Sequence, residues 1–258
     1  MAPTNISIST ARRVHRFSYA IRNIASEARK VEEAGKAVRY LNVGNPPAFG
    51  FQPPQHLIEA VERAMRDGHN GYGPSAGIEP AREAVAAEYA GRGWRLPADR
   101  VFLTAGTSEG IDMTISAIVD EGGEILVPLP TYPLYTAVLA KLGGRAVYYR
   151  TDPARNWIPD LEELARVVTP ATRALVVIDP NNPTGATYPT SVRRGLLEFA
   201  ERHGLVVIAD EVYLDLGFNG PVPPIGSLDS DAAVISLGGL SKGFLAPGWR
   251  TGWLAVGR

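Results

Sequence analysis

From about residue 100 onward, short runs of Val, Ile and Leu alternate with amphipathic stretches, and this alternation restricts the possible folds more than any other feature. A strand that is apolar on both faces must be covered on both faces, which is the situation of a parallel sheet sandwiched between helices. Segments 101–105, 124–127, 145–149, 174–178, 205–209, 233–237 and 252–256 have this character. Between them, 160–168 and 189–203 repeat with helical spacing, and in the second Val192, Leu196, Phe199 and Ala200 share one face. The pattern predicts a three-layer α/β fold built on a doubly wound, mostly parallel seven-stranded sheet.

Upstream, 54–66 has Pro54 at its start, apolar Leu57, Ile58, Val61, Ala64 and Met65, and Gly68 beyond its end, which predicts a helix. A second helix is expected near 21–33, preceded by a polar arm. The Pro/Gly clusters at 44–54 and 217–226 read as loops within a domain. The balance of 26 basic against 27 acidic residues offers no electrostatic grip on nucleic acid or anionic lipid, so small molecules are the expected partners. With no cysteine, disulfides, thiolate metal sites and a cysteine nucleophile are excluded. The four scattered histidines suggest no metal site. Neither a secretory apolar run at the N-terminus nor a bilayer-length apolar stretch is seen, which makes the cytoplasm the expected location.

In an open α/β sheet, ligands sit beyond the carboxyl ends of the strands, so the residues following each run carry the candidate chemistry. After the first strand comes Gly106-Thr107-Ser108, where helix amides and two hydroxyls would suit a phosphate, although an ordinary helix cap is the plainer reading. After the second, Tyr132 and Tyr135 place aromatic rings at the same edge, for a flat ligand or simply for the core. After the fourth, Asn182 lies in the rigid loop Asp179-Pro180-Asn181-Asn182-Pro183-Thr184-Gly185.

Asp210, with Tyr213 three residues on, ends the fifth strand, where a carboxylate needs a cationic partner or serves as a helix cap. After the sixth, Ser241-Lys242 and Arg250 lie in a Gly- and Pro-rich loop, with Leu240, Phe244, Leu245 and Trp249 around the lysine. A desolvated amine beside another cation has a lowered pKa and becomes a nucleophile toward carbonyls.

These motifs, in this order, resemble the class I and II aminotransferases, and most closely the alanine aminotransferase-like branch. The resemblance rests also on Leu41-Asn42-Val43-Gly44-Asn45-Pro46-Pro47 and on the loop from Gly71-Tyr72-Gly73-Pro74-Ser75 to Gly77, and it runs from about Phe17 to the last residue. It implies a pyridoxal 5′-phosphate (PLP) enzyme of fold type I that transfers an amino group from an L-amino acid, alanine or glutamate, to a 2-oxo acid through a Lys242 Schiff base. By the same resemblance Lys242 would also shuttle the proton at the substrate's Cα, and Asp210 would keep the cofactor's ring nitrogen protonated. Asn182 and Tyr213 would bond its ring oxygen and Tyr132 would stack on the ring. Gly106, Thr107, Ser108, Ser241 and Arg250 would hold its phosphate.

Tyr72 would reach the phosphate of a neighbouring subunit, implying a homodimer. Gly44 would lie near the substrate carboxylate, and Tyr19 would approach from the arm. Residues 1–45 would form the arm and the start of a small domain, and 46–258 the PLP-binding large domain. Two departures stand out: Thr251 replaces an aliphatic residue, and the chain is shorter than the family's members, so that the rest of the small domain, with the arginine that clamps the substrate carboxylate, would be absent. A PLP-dependent lyase on the same scaffold, or a non-catalytic PLP-binding or dimerisation fragment, are the alternatives. A dinucleotide-binding domain is set aside because no GxGxxG follows the first strand.

Overall fold

The computed structural model describes residues 9–13, 20–40, 45–220 and 222–257. Eight strands form one sheet: β1 (Val101–Thr104), β2 (Glu124–Leu129), β3 (Arg145–Asp152), β4 (Ile158–Pro159), β5 (Thr172–Ile178), β6 (Val206–Asp210), β7 (Val234–Gly239) and β8 (Gly252–Val256). Their spatial order is β1-β8-β7-β6-β5-β2-β3-β4. The strands from β7 through β6, β5 and β2 to β3 run parallel, whereas β8 is antiparallel to both β7 and β1, and β4 to β3. Seven of the eight coincide with the strands expected from the apolar runs. The additional one, β4, is a two-residue pairing too short to show an apolar pattern.

Because alternate strand residues point to opposite faces, the buried runs feed two separate cores. Leu126, Leu175, Val177, Val207 and Ala209 point to one face, which is covered by α3 (Glu79–Gly91), α6 (Leu161–Val167) and α7 (Thr190–His203) through residues such as Tyr89, Leu164, Leu196 and Phe199. Ile125, Val127, Val176, Ile178 and Ile208 point to the other, which is covered by α4 (Thr107–Ile118) and α5 (Pro133–Leu142) through Ile111, Ile115, Tyr135 and Leu139. This is the three-layer arrangement the sequence predicts.

Helix ends follow local chemistry. Asp160 caps α6 by accepting hydrogen bonds from the Glu162 and Glu163 amides, and Gly204 ends α7 in the left-handed conformation. At the N-terminal side, α1 (Ala20–Glu33) and α2 (Gln55–Arg66) occupy the expected segments, and α2 buries none of its residues.

Candidate active site

One cavity at the carboxyl edge of the sheet is lined by Thr107, Ser108, Tyr132, Asn182, Asp210, Tyr213, Ser241, Lys242 and Arg250, together with Ile111, Val212 and Pro247. Five separate strand-following segments therefore converge on one spot, as the crevice rule for open α/β sheets requires. Gly106 adjoins it as the residue preceding α4. Tyr72 lies elsewhere, wholly exposed. Tyr19 and Gly44 lie outside the described residues.

The floor of the cavity is built on β6. Asp210 is buried at 4% exposure, and its Oδ2 accepts a hydrogen bond from the Tyr135 hydroxyl at 3.0 Å, while Oδ1 has no hydrogen-bond partner. The next helical turn, the 3-10 turn Leu214–Leu216, is preceded by Tyr213 and not by Asp210, so Asp210 is not the capping aspartate that the sequence allows. Burial pushes its pKa up to about 6, against the pull of the Tyr135 hydroxyl, the Val212 amide and the Lys242 amine. A buried carboxylate with one bare oxygen suits a cationic ligand atom.

Lys242 is half-buried, and its Nζ sits 5.9 Å from the centroid of the Tyr213 ring. Desolvation lowers its pKa; Asp210 works against this and Arg250 adds to it. The apolar neighbours expected around the lysine do not all enclose it. Phe244 is exposed, and Leu240 and Phe244 line a different pocket on the far side of the loop. The chain from 240 to 245 is a run of turns and bends that sends Leu240 and Phe244 into another pocket, so Lys242 takes its surroundings from Tyr213, Asp210 and Arg250 instead.

The third component is the start of α4. Gly106 precedes it with φ 83° and ψ 160°, a conformation nearly confined to glycine. A Cβ there would lie 2.5 Å from Arg250 Nη2, so the missing side chain is what admits the guanidinium. Arg250 donates to the Ala105 and Pro247 carbonyls at 3.2 and 3.1 Å, which aims it at the helix N-terminus. Thr107 Oγ1 donates to the Gly238 carbonyl at 3.0 Å, tying α4 to β7 rather than capping its own helix. An arginine, a helix N-terminus and nearby hydroxyls together form a set of donors for an anion of phosphate type.

The chain belongs to the class I and II aminotransferases. The model of that family matches residues 37–258. The chain is 36% identical over 252 residues to a glutamate-pyruvate aminotransferase of Escherichia coli (strain K12), covering 96% of this chain and 62% of that protein. It is 38% identical over 242 residues to an alanine aminotransferase of Mycobacterium tuberculosis (strain H37Rv), covering 92% and 56% respectively. The solved structure of an alanine aminotransferase from Pyrococcus furiosus superposes with a TM-score of 0.92 at 39% identity, over 96% of this chain and 63% of that one. The chain thus spans about three-fifths of the length of these aminotransferases.

One residue that supports this family member's cavity from behind Asp210 escapes a reading by motif. Tyr135, fully buried in the first half of α5, holds Asp210 by a hydrogen bond, yet its spacing from Tyr132 reads equally well as ordinary core packing. Burial pushes its hydroxyl pKa well up, with the Asp210 charge adding to the effect, so Tyr135 acts here only as a neutral donor.

Proposed function

We propose that this chain holds PLP at the cavity around Lys242 and Asp210, and that it takes part in moving an amino group from an L-amino acid, alanine or glutamate, to a 2-oxo acid. The observation that carries the proposal is the bare, buried Oδ1 of Asp210 in the same cavity as a half-desolvated lysine and an anion-binding helix start. These residues fit the cofactor at three points: a carbonyl for the amine, a ring nitrogen for the carboxylate and a phosphate for the donor set. The names of the similar proteins favour alanine and glutamate as amino donors.

When bound, PLP would supply an electron-accepting ring that stabilises the negative charge left when the substrate's Cα loses a proton. The protein's own groups would do the rest. Lys242 would hold the cofactor covalently and, once displaced by the substrate amine, would take up and return the Cα proton as a general base. Desolvation and the nearby Arg250 charge lower its pKa, a shift toward the neutral amine that a nucleophile and a base both require. Asp210 would hold a proton on the ring nitrogen, with Tyr135 keeping the carboxylate in place. Asn182 and Tyr213 would donate to the ring oxygen, and Tyr132 would lie on the ring face. Gly106, Thr107, Ser108, Ser241 and Arg250 would hold the phosphate.

A homodimer is the further part of the proposal. The supporting features are α2, an amphipathic helix that buries nothing in this chain, and Tyr72, which stands free of it. A second copy would cover the first and receive the second. Gly44 and Tyr19 remain the candidates for the substrate carboxylate and the arm.

Borohydride reduction after incubation with PLP, followed by peptide mapping, tests the core of this reading. A pyridoxyl group confined to Lys242 and absent from Lys242→Ala is expected. A folded protein without label would overturn it. In a separate, unreduced sample, addition of alanine should leave pyridoxamine phosphate, whereas release of ammonia would indicate elimination instead.

A further inference from the structure

On the opposite face of the sheet from the cavity lies a buried polar cluster that the proposed chemistry does not use. Arg193, on α7, is 2% exposed although its neighbour Arg194 is exposed. Its Nε lies 3.2 Å from Asp179 Oδ2, its Nη2 lies 3.9 Å from Glu211 Oε1, and Nη2 donates to the Pro223 carbonyl at 2.5 Å. Glu211 is tied further, its Oε1 accepting from the Ile225 amide at 2.5 Å and its Oε2 from the Ser236 hydroxyl. Ser236 in turn meets the Tyr89 hydroxyl at 2.8 Å, to which Trp253 Nε1 donates at 3.2 Å.

The two carboxylates are not placed at random. Glu211 directly follows Asp210, and strand alternation sends one to each face. Asp179 directly follows β5, where its amide donates to the Asp210 carbonyl at 3.2 Å. Its Oδ1 accepts from the Tyr188 amide at 3.2 Å, closing the base of the loop that presents Asn182 to the cavity. Inside that loop the Asn181 carbonyl accepts from Gly185, and Asn181 Oδ1 accepts from Thr184, so hydrogen bonds tie the loop together above its base. One guanidinium thereby joins the stems of the two segments that carry Asp210 and Asn182.

We propose that Arg193 is a positioning residue: through Asp179 and Glu211 it fixes the separation and orientation of Asn182 and Asp210 at the cofactor cavity. Arginine suits the task because its broad, delocalised cation lies 3.2 and 3.9 Å from the two carboxylates while its hydrogen bond to the Pro223 carbonyl holds it between them, a span that the point charge of a lysine does not match. A buried charge cluster of this kind is a poor source of stability, since apolar residues of similar volume would often serve as well, and positioning is the role the proposal gives it. The inference rests on the PLP reading given above.

The test compares the parent chain with Arg193→Lys, which keeps the charge and loses the guanidinium, and with the triple variant Arg193→Met, Asp179→Asn, Glu211→Gln, which buries no charge. PLP affinity is measured by titration, the ring-nitrogen environment by the chemical shift of 15N-labelled PLP, and folding by thermal denaturation. For both variants we expect about tenfold or greater weakening of PLP binding and a ring-nitrogen shift displaced toward that of the unprotonated pyridine, with the triple variant still folding cooperatively. Parent-like affinity and ring-nitrogen shift in a folded variant of either kind would overturn the role of Arg193, leaving the PLP reading intact. Failure of the parent chain itself to take PLP at Lys242 would instead overturn the underlying reading, and the inference with it.

Discussion

Helices α2 and α7 follow the same amphipathic rule and end in different circumstances. In α7, Leu196, Leu197, Phe199 and Ala200 are all buried against β-sheet residues such as Leu175 and Val207. In α2 the corresponding apolar stripe is left largely open, with Val61 and Met65 exposed and no residue buried. Periodicity therefore predicts that a segment is a helix and which side is apolar, but the surface it meets is decided elsewhere in the molecule. The same division separates the sheet's carboxyl edge, where every candidate group has neighbours, from the N-terminal region that surrounds α2.

The largest expected contrast comes from equivalent truncations in the two helices. Leu196→Ala removes a wholly buried side chain and should cost about 2–5 kcal/mol in denaturant unfolding of the monomeric chain. Met65→Ala, at an exposed position, should change the same measurement by no more than about 0.5 kcal/mol. A comparable loss at both positions would break the comparison and show that α2 is packed. A Met65→Ala effect that appears only at protein concentrations where dimers form would sharpen it, locating the missing cover on a second copy.

A pair of glycines gives the next effect. Gly68 and Gly106 both have positive φ, 87° and 83°, but a Cβ at Gly68 would meet nothing within 4 Å whereas one at Gly106 would strike Arg250. Alanine should cost roughly 1–3 kcal/mol of backbone strain at either site. Arg250 can swing away, so the difference should appear in PLP affinity, which Gly106→Ala weakens and Gly68→Ala does not. Equal affinities would remove Gly106 and Arg250 from the proposed phosphate site.

Titration separates the two regions again, since the strongly raised carboxylates all lie at the sheet edge. Burial pushes Asp179 and Asp210 up to about 6 and Glu211 to about 7, from ordinary values of 3.8 and 4.5. Between these limits the folded chain binds more protons than the unfolded one, so stability without PLP should fall as pH rises from about 4 to about 7. Glu211→Gln should flatten the upper part of that decline in pH-dependent urea denaturation. An unchanged profile would remove Glu211 as its source.

Much of the fold was legible because strand and helix signals here are local. The apolar runs marked seven strands, and β4 was missed because two paired residues carry no period. Lys242, Asp210, Asn182, Tyr213 and Arg250 were legible because each follows a strand, and the sheet's topology brings strand ends together. Tyr135 and Arg193 were not. A tyrosine in a helix gives no sign that its hydroxyl reaches a carboxylate 75 positions away, and Arg193 beside Arg194 gives none that one is buried and the other solvated.

The sequence by itself determined the alternation of layers, the face that each helix turns inward and the residue types at the sheet's carboxyl edge, since these depend on neighbours within a turn or a strand. Only the tertiary structure decided which oxygen of Asp210 is left bare, that the Gly106 position makes room for Arg250, and that one arginine holds the stems of two site-bearing segments. Those outcomes depend on contacts between residues far apart in the chain, whose directions in space no local pattern encodes.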